Sequence, residues 1–127
     1  MKPELLILDE PTANLDLVSR RGLIETLNEL NRAGTTLIVS THDVEALPEL
    51  GDRIIVISHG SLFGEGEIHK VLQDAKLLES SGLEPPTIVK LFTELNSMGL
   101  IAQVPITTTE GKEELVKLLK ARNEKRH

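Results

Sequence analysis

Two acidic side chains, Asp9 and Glu10, stand together directly after the apolar run Leu5, Leu6, Ile7, Leu8 and directly before Pro11. A short apolar run stopped by charge and proline reads as a strand buried on both faces. The carboxyl ends of strands are where open α/β sheets bind ligands. Two adjacent carboxylates at such an end repel unless a cation or a proton offsets them. A hard Mg²⁺ ion with phosphate oxygens does so, and a second carboxylate beside the ion's ligand can polarise an attacking water. The same pair also reads as a strand ending in two solvated acids.

Two further stretches bear on that pair. Thr12, Ala13, Asn14, Leu15 and Asp16 follow it at once. Asp16 suits a helix N-cap, and the loop before it is placed to reach a partner subunit. Ser40, Thr41, His42 and Asp43 close a second apolar run. A lone histidine is commonly structural. Parallel pairing of the two strands, however, would put Thr41 and His42 at the same sheet edge as Asp9 and Glu10. From there His42 could contact a phosphate and orient the water-activating carboxylate.

The elements that position these residues follow from periodicity. Leu23, Ile24, Leu27 and Leu30 recur at helical spacing after Asp16, and Gly34 stops that helix. Residues 35–41 (TTLIVST) form a second strand, and residues 43–50 a short helix whose second half Pro48 weakens. Residues 52–58 (DRIIVIS) form a third strand, His59 and Gly60 a tight turn, and residues 61–66 a fourth strand antiparallel to the third. A helix begins over 67–73. Composition shifts near 79–86 (ESSGLEPP), which marks a subdomain boundary. Pro85 and Pro86 suit the first turn of a helix whose stripe is Ile88, Leu91, Phe92 and Leu95, ended by Gly99. Thr107 and Glu110 have capping-box spacing before a last helix with the stripe Leu115, Leu118 and Leu119. This order implies an α/β domain with parallel strands and crossover helices, then a β-hairpin, then helices.

Taken in order, LLILDEP, TANLD, an apolar strand ending in STHD, and DRIIVISHG resemble the ATPase domains of ABC transporters from residue 4 to about residue 73. The resemblance implies the C-terminal half of a P-loop NTPase fold, with ATP and Mg²⁺ as cofactors. Transferred by position, Asp9 would engage Mg²⁺, through water. Glu10 would be the general base, and His42 would sense the γ-phosphate and hold Glu10. Asn14, Leu15 and Asp16 would meet the second ATPase subunit of a head-to-tail dimer. The residues LLESSGLEPPTIVKLFTELNSMGL, followed by Pro105, Ile106 and Thr107, are similar to the C-terminal extension of cobalt/nickel energy-coupling-factor ATPases. The expected division is therefore 1–78, a partial ATPase domain, and 79–127, a helical extension. The expected function is an ATP-hydrolysing subunit that powers cobalt or nickel import, docked on transmembrane transporter subunits at the cytoplasmic face of the membrane.

The first half of that family pattern is missing from these residues. No G-x-x-x-x-G-K-[ST] occurs. The one Gly-Lys pair, Gly111 and Lys112, is followed by Glu113 and reads as helix surface. P-loop amides and their lysine provide most of the phosphate binding in such ATPases. The expectation is a fragment, a truncated frame or part of a split domain, with the N-terminal half as a required partner. The resulting exposure of the strands at 5–8 and 37–39 is a further expectation.

Composition excludes several other functions. A net charge of −6 over 127 residues argues against a nucleic-acid footprint. The absence of Trp and Tyr leaves no base-stacking platform beyond two Phe. Without cysteine there is neither a disulfide nor a thiolate metal site, which fits a reducing cytosol. No apolar run approaches the roughly 20 residues of a membrane span. Two alternatives stay in view. One is a non-catalytic dimerising or regulatory module built on residues 80–127. The other is a metal site drawn from His42, Asp43, Glu45, Asp52, His59 and His69, whose spacings match no standard ligand set.

Overall fold

The computed structural model describes residues 3–126, which form two compact units, one ending at Leu50 and one beginning at Gly51. The first holds β1 (Leu5–Asp9), α1 (Leu17–Arg32), β2 (Thr36–Ser40) and α2 (Leu47–Leu50). The second holds β3 (Arg53–Ser58), β4 (Ser61–Glu67), α3 (Ile68–Leu72), α4 (Ala75–Ser80), α5 (Thr87–Ser97) and α6 (Thr108–Lys125).

In the first unit β1 and β2 pair in parallel, from Leu5 opposite Thr36 to Asp9 opposite Ser40. The connection is α1. Asp16 starts it, its carboxylate accepting from Ser19 N at 2.7 Å. Gly34, at φ +108°, ends it in a conformation that side-chain-bearing residues avoid. Ile24 and Leu27 are buried where α1 packs on β2 and α2. The strands alternate in burial, which corrects the expectation of strands covered on both faces. Leu6, Leu8, Leu37 and Val39 are half-buried, while Leu5, Ile7 and Ile38 stand exposed. One helix covers only one face of a two-stranded ribbon. A second correction concerns residues 43–50. Only Leu47–Leu50 is helical, so Pro48 falls in the first turn, where its missing N–H has no helical acceptor to lose.

In the second unit the hairpin turns at His59 and Gly60, both at positive φ (+51° and +74°), the signature of a type I′ connection. Among the described residues β3 pairs with β4 alone, and a bulge between Val56 and Ile57 leaves Phe63 as the extra residue. Glu67 then caps α3 by accepting from the His69 and Lys70 amides, and Asp74 caps α4 through Leu77 N. α4 was not anticipated. It occupies the start of the 79–86 composition shift, which lies wholly inside this unit.

The core is made of Val56, Ile68, Val71, Leu72, Leu78, Val89, Phe92, Ile101 and Ile106. The inward face of α5 is thus set by Val89 and Phe92, both fully buried, whereas Leu91 is 52% exposed, correcting the stripe expected there. Pro86 sits one position outside α5, at its N-cap. Gly111 is buried rather than on the surface. A Cβ there would lie 2.9 Å from Ile88 Cδ1 and 3.2 Å from the Phe92 ring, so α6 crosses α5 at the one residue small enough to permit it. The expected apolar stripe of α6 is open, with Leu115 and Leu119 exposed.

At the start of α6, Thr107 accepts from Glu110 N at 3.1 Å. Glu110 reaches back to Ile106 N at 2.9 Å, one residue earlier than a capping box requires. Its other oxygen meets His69 Nε2 at 2.9 Å, while Glu67 meets His69 Nδ1 at the same distance. Both ring nitrogens therefore face carboxylates, and the hydrogen bonds to Glu110 and Glu67 raise the His69 pKa above its ordinary 6.5.

Two outcomes follow. Phe92→Ala should lower the unfolding free energy of this unit by about 3–5 kcal/mol in urea titrations, against within about 0.5 kcal/mol for the exposed Leu119→Ala. Because the folded pKa of His69 is the raised one, its contribution is complete below pH 6.5 and lost as pH rises through that folded value. The fall in stability above pH 6.5 should flatten in His69→Gln, as read from unfolding curves across pH.

Candidate functional site

Asp9 is the last residue of β1, and the parallel register sets it opposite Ser40, the last residue of β2. The pairing continues one step further, since Glu10 N donates to Ser40 O at 2.7 Å. The chain then leaves the sheet abruptly. Glu10 has φ +46°, a left-handed conformation that a side-chain-bearing residue adopts at a cost. Ala13 N returns to Glu10 O at 3.2 Å and Leu15 N to Thr12 O at 3.4 Å, folding residues 10–15 into consecutive turns. Asn14, at φ +62°, is a residue type that tolerates this region.

This backbone delivers the Glu10 carboxylate to the end of β2. Its Oε2 accepts from Thr41 Oγ1 at 3.0 Å. Its Oε1 accepts from His42 N at 2.9 Å and lies 2.6 Å from His42 Nδ1. That last contact lays one edge of the His42 ring against the carboxylate, while the side chain as a whole stays 82% exposed. The hydrogen bonds, that from the His42 ring foremost and that from Thr41 after it, hold Glu10 below the usual carboxylate pKa despite partial desolvation. Glu10 is therefore ionised at neutral pH. Asp9 is anchored separately, its Oδ1 accepting from Ser40 Oγ at 2.5 Å.

Glu10, Thr12, Ala13, Asn14, His42, Asp43 and Val44 line an open cleft of about 570 Å³, within the range of small-molecule sites. Of the residues singled out by sequence, the structure brings Asp9, Glu10 and His42 to one sheet edge and sets Asn14 along the same cleft. Leu15 is exposed, and Asp16 is engaged at the cap of α1, where the Ser19 amide lowers its pKa. Sequence reasoning passed over the hydroxyls of Ser40 and Thr41, which hold the two carboxylates. It also missed the ion pair of Arg20 with Asp43 at 3.4 Å, which ties α1 to the His42 loop. The available signal was two hydroxyl residues directly opposite two acids in a parallel register.

Among the described residues, no group of three or more His, Cys, Asp or Glu is placed to hold a metal by itself. A cation that keeps its waters and takes phosphate oxygens asks for less, one or two carboxylates. Asp9 fits that demand. It is exposed, pinned through one oxygen, and its Oδ2 has no partner among the described residues.

A family model described as "AAA domain, putative AbiEii toxin, Type IV TA system" matches residues 1–47. The energy-coupling factor transporter ATP-binding protein EcfA of Methanothermobacter thermautotrophicus is 38% identical over 119 residues, covering 94% of this chain and 38% of the relative. The cobalt import ATP-binding protein CbiO of Rhodobacter capsulatus is 45% identical over 91 residues, 72% of this chain and 32% of the relative. A solved structure of cbiO1 from Clostridium perfringens, titled as part of the ABC transporter complex cbiONQ, superposes with a TM-score of 0.51 at 29% identity, over 72% of this chain and 37% of that one. The chain thus spans less than two fifths of the length of these relatives. With the strand-end carboxylates, the histidine beside them and the mixed α/β fold, the chain belongs to the ABC transporter ATP-binding family, corresponding to the C-terminal part of its energy-coupling-factor members.

Proposed function

We propose that these residues supply the water-activating step of ATP hydrolysis in an ATP-binding subunit that drives import of a transition-metal ion, cobalt or nickel. The observation that carries the reading is the Glu10 carboxylate, held ionised by Thr41 and His42 at the sheet edge beside Asp9. The Rhodobacter capsulatus relative, a cobalt import ATP-binding protein, supports cobalt as the cargo. Glu10 is the general base, and His42, its ring held against Glu10, senses the terminal phosphate. Asp9 would hold Mg²⁺ by way of water. When bound, the ion would offset negative charge on the phosphate oxygens. Asn14, Leu15 and Asp16 form the loop that meets a second ATPase subunit in a head-to-tail dimer. Transmembrane transporter subunits are the further partners, which places the protein on the cytoplasmic face of the membrane. Among the described residues no helix is long and apolar enough to cross it. Residues 1–78 form the partial ATPase domain and residues 79–127 the extension.

No phosphate-binding loop lies within these 127 residues, so phosphate binding has to come from other sequence. A second reading, a non-catalytic dimerising piece, is favoured by the exposed Leu91, Leu115 and Leu119. Dimerisation in the absence of nucleotide, read by sedimentation, would support it.

The purified chain in millimolar MgATP should show no sustained phosphate release above a Glu10→Gln control. An added N-terminal fragment with the phosphate loop and signature motif should restore turnover. In that complemented protein Glu10→Gln should keep nucleotide binding and lower kcat by about 10²–10⁴-fold, the span of general-base contributions. Sustained release by the chain alone would overturn the division of labour, and an active Glu10→Gln the role of Glu10.

A further inference from the structure

The two oxygens of Glu10 are loaded unequally. A carboxylate oxygen offers about two lone-pair sites. Oε1 uses both, on the amide and the ring of His42. Among the described residues Oε2 accepts a single hydrogen bond, from Thr41 Oγ1 at 3.0 Å, and keeps one site open. The Thr41 hydroxyl is itself constrained. Its oxygen accepts from Asp43 N at 3.0 Å, which leaves its hydrogen directed at Glu10. A β-branched side chain adds a restricted χ1. Thr41 also follows β2 directly, so its backbone is carried by the same parallel pairing that places Glu10.

We propose that Thr41 is a positioning residue that fixes Oε2 of Glu10, and that Oε2 is the atom that receives the proton of the attacking water. This role depends on Glu10 being the base in ATP hydrolysis, as proposed above. In the step, one O–H bond of the water breaks and its proton passes to Oε2. The water oxygen bonds to the terminal phosphorus as the P–O bond to the leaving diphosphate breaks, the electron pair staying with the diphosphate. Thr41 exchanges no proton. Its hydrogen bond sets the direction of the free lone pair on Oε2, while His42 occupies Oε1 and keeps water from it. Misdirection of a general base costs rate and leaves ground-state nucleotide binding untouched.

Thr41→Val keeps the shape and removes the hydrogen. In this chain at neutral pH it should shift the Glu10 carboxylate ¹³C resonance and average its side-chain couplings over several rotamers. Thr41→Ser should restore both. Thr41→Ala provides the same test should the valine disturb packing, with circular dichroism as the check on folding. In the complemented protein Thr41→Val should lower kcat about tenfold, the scale of one lost hydrogen bond in a transition state, with KM for ATP unchanged and most of the rate recovered in Thr41→Ser. An unaltered Glu10 spectrum in Thr41→Val, or a serine variant no better than valine, would overturn the role of Thr41. A silent Thr41→Val beside an inactive Glu10→Gln removes only Thr41. An active Glu10→Gln removes the hydrolysis reading itself.

Discussion

The site depends on the register of a single parallel strand pair. Asp9 lies opposite Ser40, and one further hydrogen bond, from Glu10 N to Ser40 O, carries the pairing past the end of β1. Each acid thereby faces a hydroxyl or imidazole on the neighbouring strand end. A slip of one residue would turn every side chain of the strand to the opposite face, removing Asp9 from Ser40 and Glu10 from Thr41 together. The register is held from the other end as well. Thr36 N donates to Glu4 O, and the buried Thr35 donates its hydroxyl to Pro3 O. Hydrogen bonds at both ends of a five-residue ladder fix what the half-covered apolar face alone would specify only loosely.

Much of this was legible in the residue types. Asp16 before a 3.6-residue apolar period announced a capped helix, and His59-Gly60 after the β-branched run at 54–57 announced a hairpin. Both signals are local, set by one or two side chains acting on their own backbone. The shared edge of Glu10 and His42 was legible through topology, since parallel strands joined by a crossover end on the same side. What remained hidden depends on partners distant in sequence. Thr41 looks like any β-branched strand residue until its hydroxyl is seen between Asp43 N and Glu10. Val89 and Leu91 are equally apolar, yet Val89 is buried and Leu91 exposed, while the close approach of α6 at Gly111 falls on Ile88 and Phe92. The open face of β1 and β2 shows the same limit from the other side. Its residues are apolar enough for burial, yet burial needs a covering layer, and only the opposite face, with Leu6, Leu8, Leu37 and Val39, is half-buried.

In the second unit, polar groups terminate the elements and one carboxylate serves two of them. Glu110 holds the Ile106 amide at the start of α6 and the His69 ring on α3, so helix capping and helix docking share a charge. Burial raises the pKa of Glu110, and the Ile106 amide and His69 lower it, with the net effect downward. A group used this way stabilises structure at the protonation states that keep it ionised, which explains why the acid and the histidine respond to pH in opposite directions.

Glu10 sits in the left-handed region at φ +46°, where residues with a Cβ lie about 1–2 kcal/mol above their relaxed backbone. Glycine or asparagine would occupy the same turn with less strain. Stability and the chemistry proposed for Glu10 therefore pull this position in opposite directions. Laboratory evolution that screens for heat resistance alone would be expected to discard the carboxylate, and the persistence of a glutamate under such pressure would itself report selection for turnover.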